Sequence, residues 1–222
     1  MAKLFAPHKI LVTAGPTREM LDPVRFLSNL STGEMGYAVA REARRRGRKV
    51  TLISGPTALK KPAGVRWVGI TSARELERAC RRQFAQNDIL IMTAAVCDFT
   101  AAKPSKQKIS RTKTHSLHLM QTPDIVGGLG RRKRNRLVIG FCLETRDWLR
   151  RAREKIARKH LDGIVANYYS PAHNPFGKRR INTAFLDAFG NARILKKQSK
   201  TQVARKLLDW ADSLALGFRK KI

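Results

Sequence analysis

Acidic residues are scarce in this chain of 222: 16 Asp plus Glu stand against 46 Lys plus Arg, a formal net charge of +30 at pH 7. Anionic partners are therefore favoured. Cysteine is sparse as well, with Cys80, Cys97 and Cys142 as the full set. An odd number, with no close pair and no histidine at ligand spacing, indicates neither a disulfide framework nor a zinc site. Three free thiols in a reducing compartment are expected. The five histidines, His8, His115, His118, His160 and His173, form no HExxH pattern, and scattered single residues specify no Ser-His-Asp triad. No apolar run reaches the ~20 residues of a membrane span, and the N-terminus lacks a signal-peptide core. A cytoplasmic protein without membrane association is the expectation.

Two nucleotide fingerprints are also missing. A dinucleotide-binding domain requires G-x-G-x-x-G after the first strand and an acid at the end of the second. Here the first strand runs into Ala14-Gly15-Pro16-Thr17 and the second into Ser54-Gly55-Pro56. No G-x-x-x-x-G-K-[ST] occurs, which excludes a P-loop nucleoside triphosphatase. The basic clusters, Arg44-Arg45-Arg46, Lys60-Lys61, Arg131-Arg132-Lys133-Arg134 and Lys178-Arg179-Arg180, carry no interleaved aromatics to stack on bases. They suit helix ends and solvated loops, and would attract nucleic acid only non-specifically.

What is present is an alternation of strand-like and helix-like segments. Lys9 to Thr13 is β-branched and apolar, a helix pattern runs from Gly33 to Arg46 with Gly47 as its stop, and Lys49 to Ser54 is a second strand. Val65 to Ile70 follows, then a helix opened by Ser72-Ala73-Arg74-Glu75, whose serine and glutamate have capping-box spacing. Asp88 to Ala95 and Leu137 to Phe141 are nearly uninterrupted apolar runs, the pattern of central strands covered on both faces. A helix from about Asp147 to His160 precedes Gly163 to Asn167. Asn182 to Asp187 and Ala192 to Leu195 flank Gly190-Asn191 as a hairpin. Ser199 to Gln202 caps a last amphipathic helix with Val203, Leu207, Leu208 and Trp210. The order predicts one domain over 1–222 with an α/β, Rossmann-like three-layer fold: a mostly parallel sheet, helices on both faces, and a C-terminal antiparallel hairpin.

Ligands in such folds lie beyond the carboxyl ends of the strands. The connection between the first strand and first helix is far longer than the usual ~2–6 residues. It ends in Asn29-Leu30-Ser31-Thr32-Gly33-Glu34-Met35-Gly36, which reads as a phosphate cradle. Ser31 and Thr32 offer hydroxyls, Gly33 and Gly36 permit close backbone approach, and the helix start offers N–H groups. Ordinary N-capping by Ser31 or Thr32 is the plainer alternative. Asp98 follows a central strand and precedes a basic loop, Lys103 to Arg111, with enough charge to close over a polyphosphate. Lys155 and Lys159 stand i, i+4 and repel unless an anion lies between them.

Taken together, several ordered motifs resemble the phosphopantothenate–cysteine ligase family over roughly residues 9 to 187. They are Thr13-Ala14-Gly15-Pro16-Thr17-Arg18-Glu19, Leu21 to Phe26, Ser28 to Gly36, Ala94-Ala95-Val96-Cys97-Asp98-Phe99, Gln107-Lys108-Ile109, Thr122 to Val126 and Gly140-Phe141. The resemblance implies formation of 4′-phosphopantothenoylcysteine from 4′-phosphopantothenate and L-cysteine in coenzyme A biosynthesis, through an acyl-cytidylate made from CTP. ATP serves instead in eukaryotic relatives. It further implies Asn29 and Lys108 as catalytic, the first stabilising the intermediate and the second binding phosphate in a mobile loop. A nucleotide site of Asp98, Lys108, Pro123, Asp124, Ile125, Val126, Phe141, Lys155 and Lys159 is implied, with Mg2+ at the triphosphate and a homodimeric assembly. Many bacterial relatives carry Ala where Cys97 stands, and Lys-Ile-Lys-Lys at Lys108 to Arg111. The chain opens almost at its first strand, which suggests a ligase without the decarboxylase domain fused to it in many bacteria.

Overall fold

The computed structural model describes residues 9–111, 114–172, 174–177 and 179–219; His8, His173 and Lys178 lie outside them. In chain order, β1 (Lys9–Ala14) leads into a small hairpin of β2 (Arg18–Met20) and β3 (Phe26–Ser28), then α1 (Glu34–Arg45), β4 (Lys49–Ser54), β5 (Arg66–Gly69) and α2 (Ala73–Phe84). There follow β6 (Ile89–Met92), a second small hairpin of β7 (Phe99–Ala101) and β8 (Leu119–Gln121), α3 (Ile125–Gly130), β9 (Leu137–Glu144), α4 (Trp148–Lys159), β10 (Gly163–Tyr168), β11 (Ile181–Asp187), β12 (Ala192–Gln198) and α5 (Lys200–Arg219).

The main sheet has eight strands in the order β12-β11-β10-β9-β6-β1-β4-β5. From β10 to β5 every pairing is parallel. β11 runs antiparallel to both β10 and β12, so the expected hairpin forms one edge. Its turn is held by Asp187, whose Oδ1 accepts the N–H groups of Phe189 and Asn191 at 2.9 Å each, while Gly190 takes a φ of 94°.

Central strands are apolar on both faces because both are covered. On one side α1 and α5 pack Tyr37, Val39, Val203, Leu207 and Leu208 against Ile10, Val12, Ile91, Ile139 and Val165. On the other, α2, α3 and α4 pack Leu76, Cys80, Leu129 and Ile156 against Leu11, Leu90, Val138 and Ile164. The alternation of Ile10 and Val12 with Leu11 assigns the two faces by period two. Gly163 is needed beneath Trp210: a Cβ there would meet the indole at 2.4 Å.

Helix ends follow their sequence signals. Ser199 and Gln202 form a reciprocal box, with Gln202 N–H donating to Ser199 Oγ at 3.2 Å and Ser199 N–H to Gln202 Oε1 at 2.8 Å. Ser72 Oγ accepts from Glu75 N–H at 3.3 Å, but Glu75 Oε2 reaches back one residue further, to Thr71 N–H at 2.7 Å.

Glu42, 4% exposed on α1, is bound by Arg45 at 2.7 and 2.8 Å and by Arg46 at 2.9 Å. Hydrogen bonding to Arg45 comes first among the influences on its carboxyl, and with Arg46 it outweighs burial, lowering the pKa to about 2. Because the folded-state value is depressed, the pair stabilises the fold above the unfolded value of 4.5 and is lost as pH falls through about 2. Glu42→Gln is expected to cost on the order of 2 kcal/mol at neutral pH and to flatten the acid limb of a urea-stability profile in that window. An unchanged acid limb would remove Glu42 from the account.

Candidate functional site

The start of α1 and the carboxyl ends of β6, β9 and β10 open into a cleft of about 900 Å3, within the ~300–1,000 Å3 of small-molecule sites. The cradle residues Asn29, Ser31, Thr32, Gly33 and Gly36 all line it. Gly33 is the N-cap of α1 at φ 78°, and no side chain caps the helix. The capping alternative for Ser31 and Thr32 is thereby overturned. The reason is local: Gly33 in the left-handed region turns the chain so that Ser31 Oγ meets only Gly33 N–H, at 3.3 Å. First-turn amides of α1 are thus left uncapped by any side chain, at the positive end of the helix dipole.

The two glycines differ in use. A Cβ on Gly33 would meet Thr57 Cγ2 at 2.7 Å, and its positive φ already disfavours other residues. At Gly36 the close approach is to the sheet, since a Cβ there would meet Thr93 Oγ1 at 2.4 Å, Ala14 Cβ at 2.5 Å and Thr13 O at 2.9 Å. Its missing side chain seats α1 on β1 and β6, and brings the uncapped turn over the strand ends.

Asn29 Nδ2 donates to Ala95 O at 3.1 Å, which orients the amide at the cleft wall. Behind it lies Cys97. The sulfur stands 3.9 Å from Asn29 Nδ2, 3.6 Å from Thr17 O and 3.7 Å from Leu27 O, and burial pushes its pKa up. The thiol therefore packs the base of Asn29 as a neutral group. Burial likewise raises Cys80 and Cys142 to about 12, and all three cysteines are free.

Asp98, Pro123, Asp124, Ile125, Val126, Phe141, Lys155 and Lys159 line the same cleft. Asp98 is exposed there. Asp124 caps α3 by accepting from Gly127 N–H at 3.2 Å. The lysine pair requires no bound anion to relieve its repulsion. Lys155 Nζ donates to Glu144 Oε1 at 2.5 Å and Lys159 Nζ to Asp124 Oδ1 at 2.7 Å, carboxylates 11 and 35 residues away that local spacing could not reveal. Burial raises the Asp124 pKa, but the Lys159 bond and the Gly127 amide outweigh it, and the net direction is down.

Lys108 is the residue the fold sets apart. It lines a second cavity of about 660 Å3 with Leu21, Arg25, Ile109, Ser110, Arg111 and His115. Its loop is pinned to the β2–β3 turn: Ser105 N–H bonds Leu21 O at 2.8 Å, Ile109 N–H bonds Asp22 Oδ2 at 3.1 Å, and Arg25 Nη2 bonds Ile109 O at 2.6 Å. Buried Asp22 also accepts from Val24 N–H and Arg25. Against the opposing pull of burial, these donors hold its carboxyl well below the usual range.

The family profile described as the DNA/pantothenate metabolism flavoprotein C-terminal domain matches residues 5–214. The chain belongs to this family. The coenzyme A biosynthesis bifunctional protein CoaBC of Bacillus subtilis (strain 168) is 39% identical over 209 residues, 93% of this chain and 51% of that protein. The chain thus spans about half the length of the curated relative it matches. The crystal structure of the C-terminal domain of CoaBC has a TM-score of 0.79 at 33% identity, with 96% of each chain covered. Cab2, solved as a mutant in complex with phosphopantothenate-cysteine, shares the fold with a TM-score of 0.76 at 15% identity, over 96% of this chain and 89% of that one.

The cleft holds further polar side chains that sequence reasoning passed over: Glu34, Thr93, Asn167 and Lys200. Lys200 Nζ bonds Glu34 Oε2 at 2.8 Å and also Gly177 O, joining the starts of α1 and α5. Asn167 had an available signal, since it lies at the carboxyl end of a parallel strand by the rule that picked out Asn29 and Asp98. No helix among the described residues is long and apolar enough to cross a membrane.

Proposed function

We propose that the chain joins 4′-phosphopantothenate to L-cysteine in coenzyme A biosynthesis, with CTP as the activating nucleotide. The observation that carries this reading is the gathering, in one cleft at the strand ends, of Asn29, the uncapped α1 start, Asp98, Pro123 to Val126, Phe141, Lys155 and Lys159. Membership of a family that includes the C-terminal half of CoaBC supports it.

A carboxylate is a poor electrophile. Its oxygen attacks the α-phosphorus of the triphosphate, the bond to the bridging oxygen breaks, and pyrophosphate leaves. The amine of cysteine then attacks the acyl carbon, CMP departs, and an amide remains. Uncapped N–H groups at α1 suit a phosphate, and Lys155 and Lys159 suit the polyphosphate by sharing or exchanging their carboxylate partners. Asn29, fixed through Nδ2, presents its amide to the intermediate. Mg2+ prefers one or two carboxylates together with phosphate oxygens. Among the described residues there is no cluster of three His, Cys, Asp or Glu, and Glu34 and Asp124 carry lysines. Asp98 with the triphosphate is the donor set that fits, and the ion would neutralise phosphate charge there. A cytoplasmic homodimer is the assembly proposed, by resemblance to the family.

Purified protein incubated with phosphopantothenate, cysteine, Mg2+ and either CTP or ATP should release pyrophosphate and form a cysteine-dependent product, with the higher kcat/KM for CTP. No such product with either nucleotide would sink the ligase reading; preference for ATP would sink only the nucleotide assignment. Lys159→Ala leaves Asp124 half-exposed and still capping α3, so the fold should hold while the nucleotide KM rises about ten-fold or more, the scale of one charge-assisted hydrogen bond. An unaltered KM would take Lys159 out of the nucleotide site.

A further inference from the structure

Asn167 is the penultimate residue of β10 and lines the cleft, flanked across the sheet by Leu143 of β9 and Thr183 of β11. Its Oδ1 is buried and accepts no hydrogen bond from the described residues. The neighbours explain why. Leu143 has nothing to donate, and the Thr183 hydroxyl is committed to Ala166 O at 3.0 Å. A buried amide oxygen is normally paired, because leaving water without a partner is unfavourable. Period two places Asn167 on the Val165 face of the sheet, the α1 and α5 side. That side also carries the cradle, and Lys200 and Phe176 complete the lining there.

Resting on the ligase reading, we propose that Asn167 is a substrate-recognition residue, its Oδ1 reserved for a neutral N–H or O–H donor on a bound substrate. Two sources carry such donors: the amino and hydroxyl groups of the nucleotide, and the hydroxyl and amide N–H of phosphopantothenate. A group kept for a ligand leaves the free protein with an unpaired polar atom, so removing it should help the fold and harm binding. A structural asparagine would lose both together.

The test compares wild type with Asn167→Leu, which keeps the branched outline without polar atoms, and Asn167→Ala, which adds no bulk. Calorimetric titration of each protein with CTP and, separately, with phosphopantothenate reads binding apart from turnover, so a failed ligation assay on wild type would count against the ligase reading alone. The expected result is that the leucine variant melts no lower than wild type, while both variants bind one of the two ligands at least ten-fold more weakly and the other within two-fold. Which ligand weakens names the donor. Unchanged affinities, equal loss for both ligands with a lower melting temperature, weakening in the leucine variant alone, or no binding of either ligand to wild type would each overturn the proposal.

Discussion

Asn29→Ala should lower kcat by about 100-fold or more while leaving the melting temperature within about a degree, the scale seen when one positioned donor is removed from a developing charge. The structure gives the reason for expecting so clean a separation. Asn29 is exposed at the cleft wall, and its side chain is tied to the fold through Nδ2, by the 3.1 Å bond to Ala95 O and the 3.9 Å contact with Cys97 Sγ. Ala95 O also accepts from Thr17 N–H at 3.1 Å, so the backbone there stays satisfied after truncation. KM values should change little, because on the proposed mechanism Asn29 meets the activated intermediate rather than the bound substrates. Single-turnover formation of the acyl-nucleotide would locate the loss. Turnover within a few-fold of wild type would remove Asn29 from the chemistry.

Gly36→Ala should behave in the opposite way. One methyl group must enter a space already held by Thr93 Oγ1, Ala14 Cβ and Thr13 O, all within 3 Å of its ideal position. Two of these neighbours belong to buried strand ends, where Thr93 Oγ1 is itself bonded to Thr13 O at 2.5 Å. Neither can yield without disturbing β1. Overpacking of this kind costs about 1–3 kcal/mol, and the upper end is expected here, read as a lower urea midpoint at unchanged slope. Because α1 carries the uncapped turn at its start, a displaced helix should also weaken nucleotide binding. A variant as stable as wild type would mean that the helix shifts freely on the sheet.

Comparing what the chain announced with what it forms separates two kinds of information. Ile10 to Val12, Ile89 to Met92 and Leu137 to Ile139 declared central strands, because burial on both faces demands unbroken apolar runs. The two small hairpins were silent: β2, β3, β7 and β8 have three residues each, too few for period-two alternation to register. α3 was silent for another reason. Ile125–Gly130 contains three glycines, which oppose helix by propensity, and it forms because Asp124 caps it while Ile125 and Leu129 pack beneath the sheet. At the site, placement by position at a strand end was legible, and Asn29 and Asp98 both line the cleft. Chemistry set by distant partners was not. Nothing near Lys155 or Lys159 announced Glu144 and Asp124, nor did the basic loop reveal that Asp22 fastens Lys108 beside a different cavity.

The sheet also has two open margins, and each is made a poor template for another chain by a different device. On one side β12 places Arg193, Lys196 and Lys197 outward, while Lys197 takes a φ of 49° and the β11–β12 register shifts between Ile181 and Thr183. Charge and irregularity both discourage intermolecular strand addition. On the other side β5 has four residues, beginning with exposed Arg66. A sheet whose middle is almost wholly aliphatic thus ends in two margins that are poor templates for further strands.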